Sequence, residues 1–229
     1  MLAIDTSTLW CSVALYTGEA WLEREEHVAQ LHSERVLPIA NALLDAAGLV
    51  MRDLDAVAFG AGPGAFTGIR IATGVAQGLG LGLDRPVVPI STLAALVHLA
   101  RHDHHAGAVV ACIDARMAEV YATAGEFVDG SWQERLAACV ARPEELRLPT
   151  GGAAWVGVGS GFAAYPALGE ALGIAHVLPD LRPTARAIGA LALDHFAAHG
   201  GVAAEAALPI YLRQRVALTS AERDAGLRL

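Results

Sequence analysis

Two short acidic turns, one in each half of the chain, carry the residues best suited to chemistry. Asp5, Thr6 and Ser7 follow a short apolar stretch, and Asp114 follows an apolar strand predicted at residues 108–113. A tight turn between strands offers backbone N–H groups to an oxyanion, and an aspartate beside it can position a hydrated Mg²⁺ ion. The two turns therefore predict a phosphate-binding cleft between two similar halves of the molecule.

A glycine-rich loop at residues 60–70 is the most distinctive stretch of the sequence. Gly62, Gly64 and Gly68 can take backbone conformations closed to other residues, and Thr67 is placed to cap the helix that follows. Such a loop can bring backbone N–H groups and the positive end of a helix dipole to a phosphate. Contact with a partner's backbone, or an ordinary strand-to-helix turn, would explain the same residues.

Two further groups of charged residues have open interpretations. Asp114, Arg116 and Glu119 surround the second acidic turn, either as a self-contained ion-pair network or as contacts to a ligand or partner. Arg213 and Arg215, near the end of the sequence, are either tail charges or contacts to RNA or an acidic partner.

Histidines at 102, 104 and 105 are dense enough to suggest a metal site, but metal binding needs convergent ligands and supporting hydrogen bonds. They lie in a polar break, where solvated side chains are expected. The sequence also has no G-x-S-x-G and no H-E-x-x-H pattern. These patterns therefore identify no hydrolase active site, and the histidines are not predicted to form a metal site.

The composition excludes several kinds of phosphate and amine chemistry. All 16 basic residues among the 229 are arginine, which excludes a Walker A lysine, the strand lysine of protein kinases and Schiff-base chemistry. A formal net charge of −8 argues against strong nucleic-acid binding by this chain alone. Three cysteines without a C-x-x-C pair, and an N-terminal stretch without a basic region, indicate a cytoplasmic protein with no membrane association.

The elements that must hold the turns are predicted from hydrophobic spacing and from glycine and proline positions. Strands are predicted at 2–4, 12–16, 20–24, 56–59 and 87–90, and helices at 33–47 with Ser33 as N-cap, 69–81, and 92–101 with Ser91 or Thr92 as N-cap. A content of 54% hydrophobic and 17% charged residues predicts a large buried core.

The second half of the chain repeats the order of the first. The two acidic turns lie 109 residues apart, and residues 56–62 resemble residues 155–161 at an offset of 99. Each half reads strand, acidic turn, strand, and later strand, glycine loop, helix, which predicts an internal duplication. We place the boundary at the histidine-rich break, giving an N-terminal lobe, 1–105, and a smaller C-terminal lobe, 106–229. This order is typical of actin-like and sugar-kinase-like ATPases, which need no Walker lysine.

The helix predicted at 69–81 carries a line of glycines, Gly74, Gly78 and Gly82. Each costs about 1 kcal/mol of helix propensity relative to alanine, so another element is expected to approach this face closely. Packing within the chain and contact with another subunit would both explain the line.

These motifs together resemble the bacterial TsaB family, also called YeaZ. The resemblance runs from residue 2 to about 215 and rests on Ile4-Asp5-Thr6-Ser7-Thr8, Cys11-Ser12-Val13-Ala14-Leu15, His32-Ser33-Glu34-Arg35-Val36-Leu37-Pro38, Gly62-Pro63-Gly64-Ala65-Phe66-Thr67-Gly68-Ile69-Arg70, Ser91-Thr92-Leu93, Ile113-Asp114-Ala115-Arg116-Met117 and Tyr211-Leu212-Arg213. The family usually has serine where this chain has Ala65, so a hydroxyl contact is not expected there.

The resemblance implies an α/β protein with the duplicated actin-like fold (the ASKHA, ribonuclease H-like fold), in which each of two lobes has a mixed sheet and helices. It implies a non-catalytic, activating or scaffold subunit of the complex that installs threonylcarbamoyl on the adenosine next to the anticodon of tRNAs reading codons that start with A. The implied partners are a TsaD-like catalytic subunit and a TsaE-like ATPase, with tRNA bound only through the complex. A homodimer is expected when the chain is alone, and ATP or ADP at the junction with the partner.

The resemblance also assigns residues. It places the partner surface on the helices at about 33–47 and 69–82, with the interface residues Val36, Ala40, Leu43, Gly74, Gly78 and Gly82. The residues expected near a nucleotide or partner are Asp5, Thr6, Ser7, Gly62, Gly64, Thr67, Gly68, Asp114, Arg116 and Glu119.

One departure from the TsaD-like relatives bears on catalysis. Those relatives have an Asn-His-x-x-x-His metal motif after the fourth strand, where this chain has Ser91-Thr92-Leu93-Ala94-Ala95-Leu96. Neither Thr92 nor Leu96 can replace an imidazole ligand, which argues against independent catalysis and against a peptidase. The alternatives are a stand-alone actin-fold ATPase or small-molecule kinase, in which Asp5 or Asp114 holds the metal, and a metallopeptidase.

Overall fold

The first lobe is built on a five-stranded mixed sheet. The structure, a computed structural model, describes residues 1–149 and 154–213. The strands of this sheet are β1 (Leu2–Asp5), β2 (Trp10–Tyr16), β3 (Trp21–His27), β4 (Val57–Gly62) and β5 (Val87–Ser91), in the order β3-β2-β1-β4-β5. β1, β2 and β3 form an antiparallel meander, and β4 and β5 extend it in parallel. β1 and β4 are buried throughout because helices cover both faces of the sheet.

The second sheet repeats this arrangement. Its strands are β6 (Ala108–Arg116), β7 (Glu119–Val128), β8 (Ser131–Ala141), β9 (Trp155–Val158) and β10 (His176–Leu178), in the order β10-β9-β6-β7-β8. Each sheet thus joins a meander to two parallel strands in the same sequence order. The predicted duplication and the actin-like fold class, with two lobes each of a mixed sheet and helices, are confirmed.

Helices separate and cover the two sheets. They are α1 (His32–Ala47), α2 (Phe66–Leu83), α3 (Thr92–His104), α4 (Ser160–Ala164), α5 (Leu168–Ala171) and α6 (Ala185–His199). α1 and α2 pack on one face of the first sheet, around the buried Phe59, and α6 packs on the other. α3 contacts α6 and also β6 of the second sheet, whose far face is covered by α4 and α5.

Helix starts differ from the sequence predictions in two places. α1 begins at His32 with Leu31 as N-cap, so the prediction of Ser33 is wrong. α2 begins at Phe66 with Ala65 as N-cap, so Thr67 lies inside the first turn and does not cap the helix. Ser91 is confirmed as the N-cap of α3, because its hydroxyl accepts a hydrogen bond from the Ala94 N–H.

The lobe boundary predicted at 105/106 lies between α3 and β6. The predicted break is largely helical, since α3 continues through His104 and ends at His105, which has a left-handed φ of 54°. α6 follows the second sheet in the chain but packs on the first sheet, where its Gly189 lies against Trp21 and Ala3. The division of the chain into 1–105 and 106–229 stays a prediction, and residues 214–229, with Arg215, lie outside the described residues.

In the described ranges, no helix combines the length and the hydropathy that crossing a membrane requires.

Candidate functional site

The first acidic turn lies at the end of β1, covered by the glycine loop. Asp5, Thr6 and Ser7 are each less than 5% exposed. The Ser7 N–H and hydroxyl both donate to Asp5 Oδ1, at 3.1 and 2.8 Å, which closes the turn on itself. The side chains that could meet a phosphate are therefore engaged within the turn.

The glycine loop and the start of α2 hold this turn from the other side. The Thr6 hydroxyl donates to the Gly68 carbonyl oxygen at 2.7 Å, and the Ala65 N–H donates to the Ser7 carbonyl oxygen at 2.9 Å. A Cβ at Gly68 would collide with the Thr6 carbonyl oxygen, and one at Gly64 would lie 2.8 Å from Ser7 Cβ. The glycines at 64 and 68 are thus needed for close approach to the chain's own turn.

The second carboxylate oxygen of Asp5 faces a closed space. Among the described residues Oδ2 has no hydrogen-bond partner, and a Cβ at Gly60 would collide with it. Burial raises the pKa of Asp5 to about 7, and the two hydrogen bonds from Ser7 act in the opposite direction. The turn therefore holds a carboxyl group that is partly protonated at neutral pH.

The loop is also fixed at its outer side. Gly62 has a φ of +108°, which favours glycine, and precedes a cis peptide bond to Pro63. The buried Thr92 hydroxyl donates to the Pro63 carbonyl oxygen, and the Ile210 N–H donates to the Ala61 carbonyl oxygen at 2.8 Å. The loop is an anchored strand-to-helix connection.

The second acidic turn forms an ion-pair network. Asp114 accepts a hydrogen bond from the Arg116 N–H at 2.8 Å and pairs with its guanidinium at 3.1 Å. Arg213 Nε donates to Glu119 at 3.0 Å, and its guanidinium also reaches the Ala115 carbonyl oxygen at 3.1 Å. This favours the self-contained network, with Arg213 as a member that the sequence did not connect to it. In the two described ranges, no hydrogen bond joins this group to the first acidic turn.

Residues 207–213 tie α2 to the second lobe. Gln77 on α2 donates to the Ala207 carbonyl oxygen at 2.7 Å, and Arg70 Nε donates to the Tyr211 hydroxyl at 2.9 Å. Arg213, two residues further on, joins the β6–β7 turn. The Tyr211-Leu212-Arg213 motif was a sequence signal for this segment, but its contacts were not predictable from it.

The predicted interface residues divide into two sets. Gly74, Gly78 and Gly82 lie exposed along α2, and a Cβ built on any of them meets no other described atom within 4 Å. Packing within the described chain therefore does not explain this line, whereas the neighbouring residues that face the core are Ala72, Ala76 and Gly80. The surface also presents large exposed apolar side chains, Phe66 and Leu81.

On α1 the structure corrects the sequence prediction. Val36, Ala40 and Leu43 are buried against the first sheet, so these side chains are core residues and do not form a partner surface. The outward face of α1 instead carries Leu37 and Asn41.

The position of the TsaD-type metal motif is also occupied by packing residues. Thr92 is engaged with the glycine loop, and Leu96 lies in the core between the lobes. Among the residues described, no group of three or more His, Cys, Asp or Glu is arranged to hold a metal ion.

The two matching sheets and their acidic turns define an actin-like, two-lobed α/β protein. Residues 25–221 match the family model described as TsaD: tRNA N6-adenosine threonylcarbamoyltransferase. The tRNA threonylcarbamoyladenosine biosynthesis protein TsaB of Escherichia coli (strain K12) is 40% identical over 223 residues, which cover 95% of this chain and 96% of that protein. The chain belongs to the TsaB (YeaZ) family.

Two further comparisons agree with this assignment. The protein of the same name from Haemophilus influenzae is 43% identical over 72% of this chain and 73% of its own length. The solved structure of YeaZ from Pseudomonas aeruginosa is 42% identical, with a TM-score of 0.85 over 92% of this chain and 98% of that one. Another structure from that organism is described as an uncharacterised protein similar to peptidase YeaZ, with the same identity and TM-score.

Proposed function

We propose that this chain is a non-catalytic subunit in tRNA threonylcarbamoyladenosine biosynthesis, the process for which its curated relatives are named. In this role it pairs with a TsaD-like catalytic subunit and activates it, and a TsaE-like ATPase joins the pair. The assembled complex, and not this acidic chain alone, binds the tRNA in the cytoplasm.

The exposed glycine line on α2 is the observation that carries the proposal. Three glycines four residues apart weaken the helix by about 1 kcal/mol each, and they leave its backbone open on one side. A partner helix can approach such a face more closely than one covered by side chains. Phe66 and Leu81 add apolar area to the same helix, as interface centres require.

The outward face of α1, with Leu37 and Asn41, completes the proposed surface in place of the buried Val36, Ala40 and Leu43. When no TsaD-like subunit is present, we expect two copies of this chain to pair through the same surface, since a self-complementary patch closes as a twofold dimer.

The closed first acidic turn supports a non-catalytic role. In this structure Asp5, Thr6 and Ser7 bind each other and the glycine loop, so a phosphate would have to displace these contacts. We therefore assign ATP or ADP to the junction with the partner and not to this chain alone.

Gly78→Leu tests the proposal. The substitution places a bulky side chain in the middle of the exposed line, where the isolated chain has room for it and the helix gains propensity. We expect co-purification with the TsaD-like subunit to be lost while the circular dichroism spectrum and melting temperature are retained. Gly107→Leu is the matched control, because Gly107 is also exposed, also has open space for a Cβ, and lies away from α1 and α2.

Normal co-purification of the Gly78→Leu variant would contradict the assigned surface. The alternative, a stand-alone ATPase or small-molecule kinase, predicts tight binding and turnover when the isolated chain is titrated with Mg–ATP in a calorimeter. Such turnover by the isolated chain would remove the non-catalytic interpretation.

A further inference from the structure

A cavity of about 880 Å³ opens between α3 and the second sheet, away from the acidic turns and from the glycine line. We call it the α3 pocket. Its size lies within the range usual for small-molecule sites. Its walls come from α3, β7, β8 and α6, so the α3 pocket is shared by the second lobe and by a helix packed on the first sheet. Ala94, His98 and Arg101 line it from α3, Phe127 lines it from β7, and Trp132 and Ala138 line it from β8.

One wall of the α3 pocket is apolar and aromatic. Phe127 on β7 and Trp132 on β8 have ring centroids 5.1 Å apart, and Ala94 faces them from α3. Trp132 lies against β7 at Gly125, where a Cβ would be 2.5 Å from the indole Cζ2 atom. The same Cβ would also collide with the Gln133 carbonyl oxygen of β8, so glycine at 125 allows both the β8 backbone and the indole to lie against β7.

The facing wall is basic. His98, Arg101 and His102 lie along α3, and the His98 and His102 rings stack at 5.7 Å. Burial lowers the pKa of His98, which leaves its imidazole neutral at pH 7, so the permanent positive charge of the wall is that of Arg101. The Arg101 guanidinium lies 5.0 Å from the Phe127 ring centroid, at the boundary between the two walls.

The α3 pocket also has one acidic lining residue, Glu134 on β8. The Thr123 hydroxyl donates to the Leu136 carbonyl oxygen at 2.9 Å and lies 3.4 Å from the Glu134 carboxylate. Arg101 and His102 are also placed to complement the negative end of the α3 dipole. That role explains the basic residues at this helix end, and Phe127 and Trp132 pack against the core between α3 and the second sheet, but the open volume beside the rings is left unfilled.

We propose that the α3 pocket binds a small organic anion with an apolar body, the body lying against Phe127 and Trp132 and the acidic group paired with Arg101. An apolar lining with a few convergent polar groups is the usual composition of such sites. Because the ligand would touch α3, α6 and the second sheet together, its binding would hold the two lobes in one arrangement.

The test uses the full chain and the fluorescent aromatic sulfonate 8-anilinonaphthalene-1-sulfonate, which has this chemistry. We expect saturable binding of one dye per chain under native conditions. Arg101→Ala should weaken it about tenfold, as expected for a lost charged contact of about 1.4 kcal/mol. Ala138→Trp, on the exposed edge strand β8, should fill the α3 pocket and abolish binding. Arg142→Ala removes an exposed arginine outside the α3 pocket and should leave the affinity unchanged.

Competition with the bound dye tests whether the apolar body of the ligand is aromatic or aliphatic. Displacement of the dye by adenosine monophosphate indicates an aromatic body, and displacement by decanoate indicates an aliphatic one; either supports the proposal. The proposal would be overturned if dye binding is not saturable or if it survives Ala138→Trp. It would also be overturned if Arg142→Ala loses binding as much as Arg101→Ala does, or if neither competitor displaces the dye. None of these measurements depends on pairing with a TsaD-like subunit.

Discussion

At the scale of single residues, Asp5 is a carboxyl group whose environment strongly opposes its charge. Its side chain is buried, one oxygen is bonded to Ser7, and the other has no partner among the described residues. Removing a carboxylate from water without full compensation disfavours the ionised form. Folding of this chain is therefore coupled to proton uptake by Asp5.

The coupling predicts a pH dependence with a definite sign. The pKa of Asp5 is about 7 in the folded chain and near 3.9 in an unfolded one. Below about pH 4 the group is protonated in both states; between there and pH 7 stability falls as pH rises, by at most about 4 kcal/mol. Asp5→Asn keeps an acceptor for Ser7 and does not ionise, so the variant should become more stable relative to wild type across this interval.

Urea unfolding at several pH values measures this difference. Asp129→Asn, which removes the carboxylate of an exposed turn residue, is the control for the loss of one negative charge. Parallel pH curves for wild type and Asp5→Asn would show that Asp5 is ionised in the folded chain.

At the scale of elements, α2 uses glycine in two opposite ways. At its first turn Gly68 allows the helix backbone to contact Thr6, and further along Gly74, Gly78 and Gly82 leave an open face. The same residue type is thus required by a contact within the chain at Gly68, and has no such contact at Gly74, Gly78 and Gly82.

Alanine substitutions separate the two uses. Gly68→Ala should lower the free energy of unfolding by more than about 2 kcal/mol, because its Cβ collides with backbone that cannot move without disrupting the acidic turn. Gly74→Ala should raise it by up to about 1 kcal/mol through helix propensity. Chemical denaturation compares them, and equal effects would mean that the loop accommodates the added methyl group.

Repeated patterns made the fold predictable, whereas long-range contacts limited prediction of the site. The duplicated order of acidic turns and glycine loops determined the fold class. The spacing of Val36, Ala40 and Leu43 is that of a helix face packed on a core, and the apolar periodicity was the correct guide to their burial. Thr67 failed as a cap because helical bonding already begins at Ala65, whose carbonyl accepts from the Ile69 N–H and whose own N–H donates to Ser7, a contact no local pattern encodes.

At the scale of the whole molecule, residues 207–213 connect parts that are distant in the sequence. They contact α2 through Gln77 and Arg70, and they contact the β6–β7 turn through Arg213. The proposed partner surface and the second acidic turn are therefore linked by seven consecutive residues.

Arg213→Ala should loosen this link. Its side chain is 12% exposed and donates hydrogen bonds to both the Glu119 carboxylate and the Ala115 carbonyl oxygen. We expect amide hydrogen exchange in residues 207–213 and in the β6–β7 turn to rise about tenfold or more, as the loss of about 1.4 kcal/mol of local stability implies, while β1 is unaffected. Arg116→Ala is the control, since this guanidinium is 84% exposed and pairs with the adjacent Asp114. Unchanged exchange in Arg213→Ala would contradict the link.

The two copies of the duplicated unit have unequal helices after their glycine loops. α2 has 18 residues, whereas α4, in the corresponding place of the second lobe, has five. A chain with one long helix of this kind is monovalent for partners that dock on it. Through the proposed surface, assemblies would stop at two chains and would not grow into filaments. A copy paired with a second copy would be unavailable to the TsaD-like subunit, so the relative amounts of the two proteins would regulate how much complex forms.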